Sequence, residues 1–204
     1  DGVVPENLRV PQLALNQALT ELDPALREAI EESISRVRKV SLATLPGETK
    51  VSLAEGAEVS QVHVPIESVG LYVPGGKAVY PSSVIMNAVP AQVAMVPRIA
   101  VCSPAQKENG GLPNPTILAT CALLGIEEVY AIGGASAVAA FAYGVPEIGL
   151  EPVRLVTGPG NIFVAAAKRA LRGVIGIDSE AGPTEILIIA DSSAIPRFVA
   201  ADLI

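Results

Sequence analysis

Apolar residues recur every three or four positions after Asp23-Pro24, at Leu26, Ile30, Ile34 and Val37, and this spacing predicts an amphipathic helix over about 24–39. Asp23 is a natural N-cap and Pro24 suits the first helical position, so the start is marked as well as the face. A Pro/Gly break at 46–47 ends that pattern. From Glu58 to Val64 the chain alternates instead, with Val62 and Val64 on one face and Gln61 and His63 on the other, as in a half-exposed strand. From Val69 a third pattern takes over and repeats: a short apolar run, a glycine or proline turn, then a helix. The runs are 69–73, 98–102, 128–132, 153–157, 174–178 and 185–190. The helices begin near Ser82, Asn114, Ala135, Asn161 and Ile195, and the second is bounded by Asn114, Pro115 and Gly125.

Strands that are apolar throughout and alternate with helices imply a parallel sheet buried on both faces, that is, a doubly wound, mostly parallel α/β fold. Ligands of such sheets bind outside the carboxyl ends of the strands. The uncharged stretch 129–146 is long enough to resemble a membrane span, but Gly133-Gly134, Ser136 and Gly144-Val145-Pro146 punctuate it as strand, turn and short helix. It reads as buried core.

Composition narrows the chemistry. The 204 residues carry 14 Lys and Arg against 21 Asp and Glu, a net charge of −7, and 3% aromatics. Neither a basic face nor stacking platforms are present for nucleic acid. There is one histidine, so a site needing several imidazoles is excluded from this chain. His63 itself reads as a solvent-facing strand residue. Cys102 and Cys121 lie in apolar stretches with no adjacent base, which fits buried free thiols in a reducing cytoplasm and gives little support to a thiolate nucleophile.

Three glycine-rich turns fall at predicted strand ends: Pro74-Gly75-Gly76, Gly133-Gly134 and Gly158-Pro159-Gly160-Asn161. Each lets backbone N–H groups approach a ligand and leads toward a helix N-terminus, which favours anionic groups. Any one of them reads equally well as a plain βα turn; three at one sheet edge point to a nucleotide crevice. The G-x-G-x-x-G and Walker patterns are absent, so the cofactor stays open on these grounds. Tyr72 precedes the first turn, where a ring contact and simple strand-end packing are the two readings. Asn161 is a natural N-cap, and Thr184 sits in the turn Ala181-Gly182-Pro183-Thr184-Glu185, flanked by the carboxylates Glu180 and Glu185.

The strings Val69-Gly70-Leu71-Tyr72-Val73-Pro74-Gly75-Gly76, Gly133-Gly134-Ala135, Thr157-Gly158-Pro159-Gly160-Asn161 and Ala181-Gly182-Pro183-Thr184-Glu185, in this order and spacing, closely resemble histidinol dehydrogenase over most of the chain. The resemblance implies a cytoplasmic, zinc-dependent homodimer that oxidises L-histidinol to L-histidine through the aldehyde with two NAD. It implies two related, incomplete Rossmann-like units: residues 72–182 forming the NAD-side domain, with the segment 1–71 and the segment 183–204 belonging to the other. Tyr72 and Asn161 match positions that contact NAD. Ser136, with a shorter side chain, stands where the family often has a glutamine that does so. Thr184 matches a substrate-contacting serine. The Gln, His, Glu-His, Asp and C-terminal His that hold zinc and supply the base in the family match no residue of this chain, and His63 aligns with none of them.

The chain therefore reads as a fragment, opening without methionine at Asp1-Gly2 and ending at Ile204 inside a helix, with no catalytic or metal residue of its own. Two rival readings are an aldehyde-dehydrogenase-like enzyme with a Cys nucleophile and a non-catalytic nucleotide-binding module.

Overall fold

The structure, a computed structural model, describes residues 5, 7–75, 78–179 and 186–203. The Asp23 carboxylate accepts the Leu26 N–H at 2.9 Å and starts helix α2 (Pro24–Thr44) with Pro24 in its first turn. The helix runs on to Thr44, past the end read near residue 39. Three of the four predicted stripe positions face the core, Ile30 being buried and Ile34 and Val37 packing against it, while Leu26 in the first turn is exposed. Helix α1 (Gln12–Glu21) precedes it and buries Leu15 and Ala18. Its N-cap is Pro11, which makes no side-chain cap, so no start signal marks it in the sequence.

Strands β1 (Thr49–Ala54) and β2 (Ala57–Gln61) form an exposed antiparallel hairpin turned at Gly56, whose φ is 76°. His63 lies just beyond β2 and is exposed.

The main sheet contains β3 (Ser68–Tyr72), β4 (Arg98–Cys102), β5 (Glu128–Tyr130), β6 (Leu155–Thr157) and β7 (Gly176–Ile177), all parallel, in the order β5-β4-β3-β6-β7. Helices α3 (Pro81–Val93) and α4 (Pro115–Leu123) cover one face, and α5 (Gly134–Tyr143) and α6 (Ile162–Leu171) cover the other. Helices α1 and α2 pack outside α4 and α3, adding a further layer on that side. This is the doubly wound arrangement expected from the alternation of apolar strands and helices, and the 129–146 stretch becomes β5, α5 and the start of the following loop. Every residue of β3 is buried. Gly70 in its middle is required by packing: a Cβ there would stand 2.5 Å from the Phe141 ring.

At the amino end of the sheet, Arg98 grips Glu128 with Nε and Nη2 at 2.9–3.2 Å and also donates to the carbonyls of Glu151 and Pro152. One side chain thus ties β4 to β5 and to the loop entering β6. The Glu128 carboxylate holds the Arg98 guanidinium pKa above its ordinary value.

Two expectations change. Residues 186–190 form no strand, and Leu187 and Ile189 are 85% and 92% exposed. Their apolar run carries strand propensity, but a strand needs a ladder partner, and among the described residues β7, the neighbouring edge, pairs only with β6. Strands β5, β6 and β7 are also shorter than the apolar runs that announce them. Helix α7 (Pro196–Asp202) follows and has no buried residue. Among the described residues no helix is long and apolar enough to cross a membrane.

Candidate functional site

The strand order reverses between β3 and β6: from β3 the chain passes outward to β4 and β5, then returns to lay β6 on the other side of β3. That is a topological switch point, where two βα turns diverge and leave a crevice. The turns that follow β3, β5 and β6 are the three glycine-rich strings, so the topology brings them to one edge.

The turn after β6 is the most constrained. Gly158 has φ 115°, and a Cβ on it would lie 2.1 Å from the Tyr72 carbonyl oxygen. Only glycine lets this turn come so close to β3. Asn161 ends the turn as N-cap of α6, its Oδ1 accepting the N–H groups of Phe163 at 3.0 Å and Val164 at 3.2 Å. Its amide nitrogen donates to no protein acceptor among the described residues.

Tyr72 is buried at the end of β3, and its hydroxyl accepts the Gly134 N–H at 3.1 Å. The tyrosine thus fastens β3 to the start of α5, and its own O–H proton meets no acceptor among the described residues. Helix α5 opens at Gly133 without a side-chain cap, and Gly134 takes a positive φ of 62°. Its remaining first-turn N–H groups, near the exposed Ser136, point their partial positive charge out of the sheet edge.

Tyr72, Ser136 and Asn161 line one open cleft of about 800 Å³, together with Gly75, Phe163 and the loop that carries Lys107. The structure therefore brings together the three residues that sequence reasoning set apart. Gly76 and the whole Ala181–Glu185 turn, with Thr184 and Glu185, lie outside the described residues, as does Glu180. His63 is apart from the cleft, on a separate and mostly apolar cavity of about 630 Å³ beside Met86 and Met95.

Two side chains behind the cleft were not anticipated. Lys168 of α6 is buried, and its Nζ donates to the Gly158 carbonyl at 2.5 Å and to Asp178 Oδ1 at 2.7 Å. Asp178, just after β7, accepts the Gly158 N–H on Oδ2 at 3.0 Å. The sequence does carry a signal for this: Lys168 follows the buried Val164 by four residues, a charge standing at an apolar-stripe position. Lys107 and Phe163 carry no such signal, because both sit on exposed turns or first turns whose pattern is unconstrained by packing.

The thiols are placed for packing. Cys102 and Cys121 are free and fully buried, and burial pushes both pKa values up, that of Cys121 to about 12. A buried neutral thiol is a poor nucleophile, which weighs against a Cys-dependent aldehyde-dehydrogenase mechanism. Among the described residues no group of three or more His, Cys, Asp or Glu side chains is placed to hold a metal ion. The donor set there does not fit zinc: one exposed histidine and two thiols buried in the core.

These features define a parallel α/β protein with an open cleft at its topological switch point. The whole chain, residues 1–204, matches the histidinol dehydrogenase family model. It is 59% identical over 204 residues to the histidinol dehydrogenase of Leifsonia xyli and 61% identical to that of Thermobifida fusca, covering all of this chain and 47% and 46% of those proteins. The crystal structure of histidinol dehydrogenase from Elizabethkingia anophelis superposes with a TM-score of 0.84 at 36% identity, over 97% of this chain and 45% of that one. The chain belongs to the histidinol dehydrogenase family, and it spans about half the length of the relatives it matches.

Proposed function

We propose that this chain supplies the NAD-binding half of an enzyme that oxidises L-histidinol to L-histidine through the aldehyde. The observation that carries the reading is the convergence of Tyr72, Ser136 and Asn161 on one cleft at the switch point of the sheet. The cleft volume of about 800 Å³ lies in the range of cofactor sites. Its uncapped α5 terminus favours the charge of a diphosphate, while the neighbouring Lys107 and Glu108 on the cleft wall offset each other. Held by these residues, NAD would supply the hydride acceptor, one NAD for the oxidation of the alcohol and a second for that of the hydrated aldehyde.

The chain's own residues bind and orient. Tyr72 lines the cleft, and its hydroxyl keeps the start of α5 in register with β3 by accepting the Gly134 N–H. Asn161 caps α6 through Oδ1 and keeps its amide N–H groups for a ligand carbonyl or hydroxyl. Ser136 offers a short hydroxyl on the rim, and Thr184 is assigned to the substrate. Residues 72–182 are assigned to the dinucleotide unit, which the remainder of β3, from Ser68, joins as its central strand; the rest of the segment 1–71 and the segment 183–204 are assigned to the second unit.

The zinc ligands and the His base are assigned to the part of the family's length that this chain does not span. The full-length enzyme is proposed to be a cytoplasmic homodimer acting on a small molecule, with no nucleic-acid or membrane partner. In the test, the purified 204-residue chain binds NAD but gives no histidinol-dependent absorbance at 340 nm at any zinc concentration. NADH formation by the chain alone, or no NAD binding at all, contradicts the reading.

A further inference from the structure

The geometry points to Lys168 as a positioning residue for the dinucleotide cleft: with Asp178 it clamps the Gly158 turn from behind, and this clamp sets where Asn161 and Tyr72 stand. The inference rests on the NAD reading of the cleft and adds a residue remote from the ligand to it.

Both polar backbone groups of Gly158 are held by one ion pair. Its carbonyl accepts from Lys168 Nζ and its N–H donates to Asp178 Oδ2, while Lys168 and Asp178 are themselves 2.7 Å apart. The three groups come from three elements: the turn after β6, the second half of α6 and the end of β7. The Lys168 side chain is only 6% exposed, so water cannot take over its role, and a buried ammonium holds its acceptors tightly. Gly158 also presses on β3, the site at which a Cβ would meet the Tyr72 carbonyl. Any movement of the turn therefore reaches Tyr72 directly and reaches Asn161 through the three-residue path to the α6 cap. A structural pin elsewhere would not do this. The Arg98–Glu128 pair also joins separate strands, but at the amino end of the sheet, away from the cleft.

The test is NAD binding by isothermal titration calorimetry on the full chain, with Lys168→Met and Arg98→Met compared at a temperature where circular dichroism shows both folded. Lys168→Met raises the Kd for NAD at least tenfold; Arg98→Met, which also loses an ion pair and stability, leaves Kd within twofold of the parent. If Lys168→Met does not fold, Asp178→Asn carries the test, with Kd raised at least threefold because the carboxylate is half of the clamp. A folded Lys168→Met, or in its stead Asp178→Asn, that binds NAD as the parent does overturns the positioning role while leaving the cleft assignment standing. An equal loss of binding in Arg98→Met also overturns it, since general destabilisation then accounts for the effect. A parent chain that does not bind NAD overturns the cleft assignment and the positioning role with it.

Discussion

Gly158→Ala is the single substitution on which the geometry of the cleft wall depends most. A Cβ at this position would lie 2.1 Å from the Tyr72 carbonyl oxygen and 3.0–3.1 Å from the Tyr72 carbonyl carbon and nitrogen, all backbone atoms that no rotamer change can remove. The backbone φ of 115° adds strain of order 1–3 kcal/mol for any residue with a Cβ. Relieving the contact means moving the turn roughly 1.4 Å away from β3, since non-bonded contacts to carbon settle near 3.5 Å. That movement stretches the hydrogen bonds from Lys168 and to Asp178, and bonds involving charged groups contribute about 1.5–3 kcal/mol each. The sum is a loss of about 4 kcal/mol or more, a large share of the 5–15 kcal/mol that holds a typical domain together. Gly173, in the same β6-α6-β7 unit, is the internal control. Nothing stands within 4 Å of its virtual Cβ and its φ is not positive, so Gly173→Ala should stabilise by about 0.4–1 kcal/mol through the unfolded chain. Urea unfolding followed by far-ultraviolet circular dichroism measures both. A Gly158→Ala chain within about 1 kcal/mol of the parent would refute the reasoning, as would equal losses in the two variants.

Three further outcomes follow from the same structure. Met95, the one described non-glycine residue with positive φ, at 57°, ends α3 where Val96 N–H returns to the Ala91 carbonyl at 3.0 Å; Met95→Gly should raise stability by about 0.5–1 kcal/mol in urea melts, and a loss would show that its side chain packs more than its 71% exposure allows. Burial raises the folded pKa of Cys102 and Cys121, the latter to about 12, so their contribution is complete below the unfolded thiol value and is lost as pH rises toward the folded one. Stability should fall by about 1.5 kcal/mol per thiol between pH 8 and pH 10, and a Cys102→Ala/Cys121→Ala chain that loses as much as the parent would contradict this. Arg98→Met should cost about 2–3 kcal/mol, because the bidentate pair with Glu128 is three-quarters buried and two carbonyls lose their donor; a cost below about 0.5 kcal/mol would place the pair with ordinary surface bridges.

What the sequence made legible, and what it did not, divides along physical lines. Strand β4 and the starts of α2, α4 and α6 were readable because each depends on local chemistry: an apolar run bounded by turns, or a capping side chain such as Asp23, Asn114 or Asn161 with its N–H partners. Helix α1 was not, since Pro11 caps nothing and its buried face amounts to Leu15 and Ala18. The run at 186–190 misled because strand propensity says nothing of a ladder partner. The α3 terminus was also silent: Met95 adopts the left-handed conformation that Gly125 announces plainly at the end of α4. For the site, the glycine turns, Tyr72 and Asn161 are legible in the sequence itself and Ser136 only through the family resemblance, but their meeting in one cleft is a product of strand order. The Lys168–Asp178 clamp joins residues from separate elements, and only the fold shows that both grip Gly158.

The central claim is that the cleft at the β3/β6 switch point is the dinucleotide site of this chain. The most direct measurement is a calorimetric titration of the 204-residue chain with NAD, beside a Tyr72→Phe/Asn161→Asp variant that keeps the buried ring and the α6 cap acceptor. The account predicts one NAD per chain for the parent and at least a tenfold weaker Kd for the variant, with identical circular dichroism. A variant that binds NAD as tightly as the parent would place the cofactor elsewhere and contradict the account.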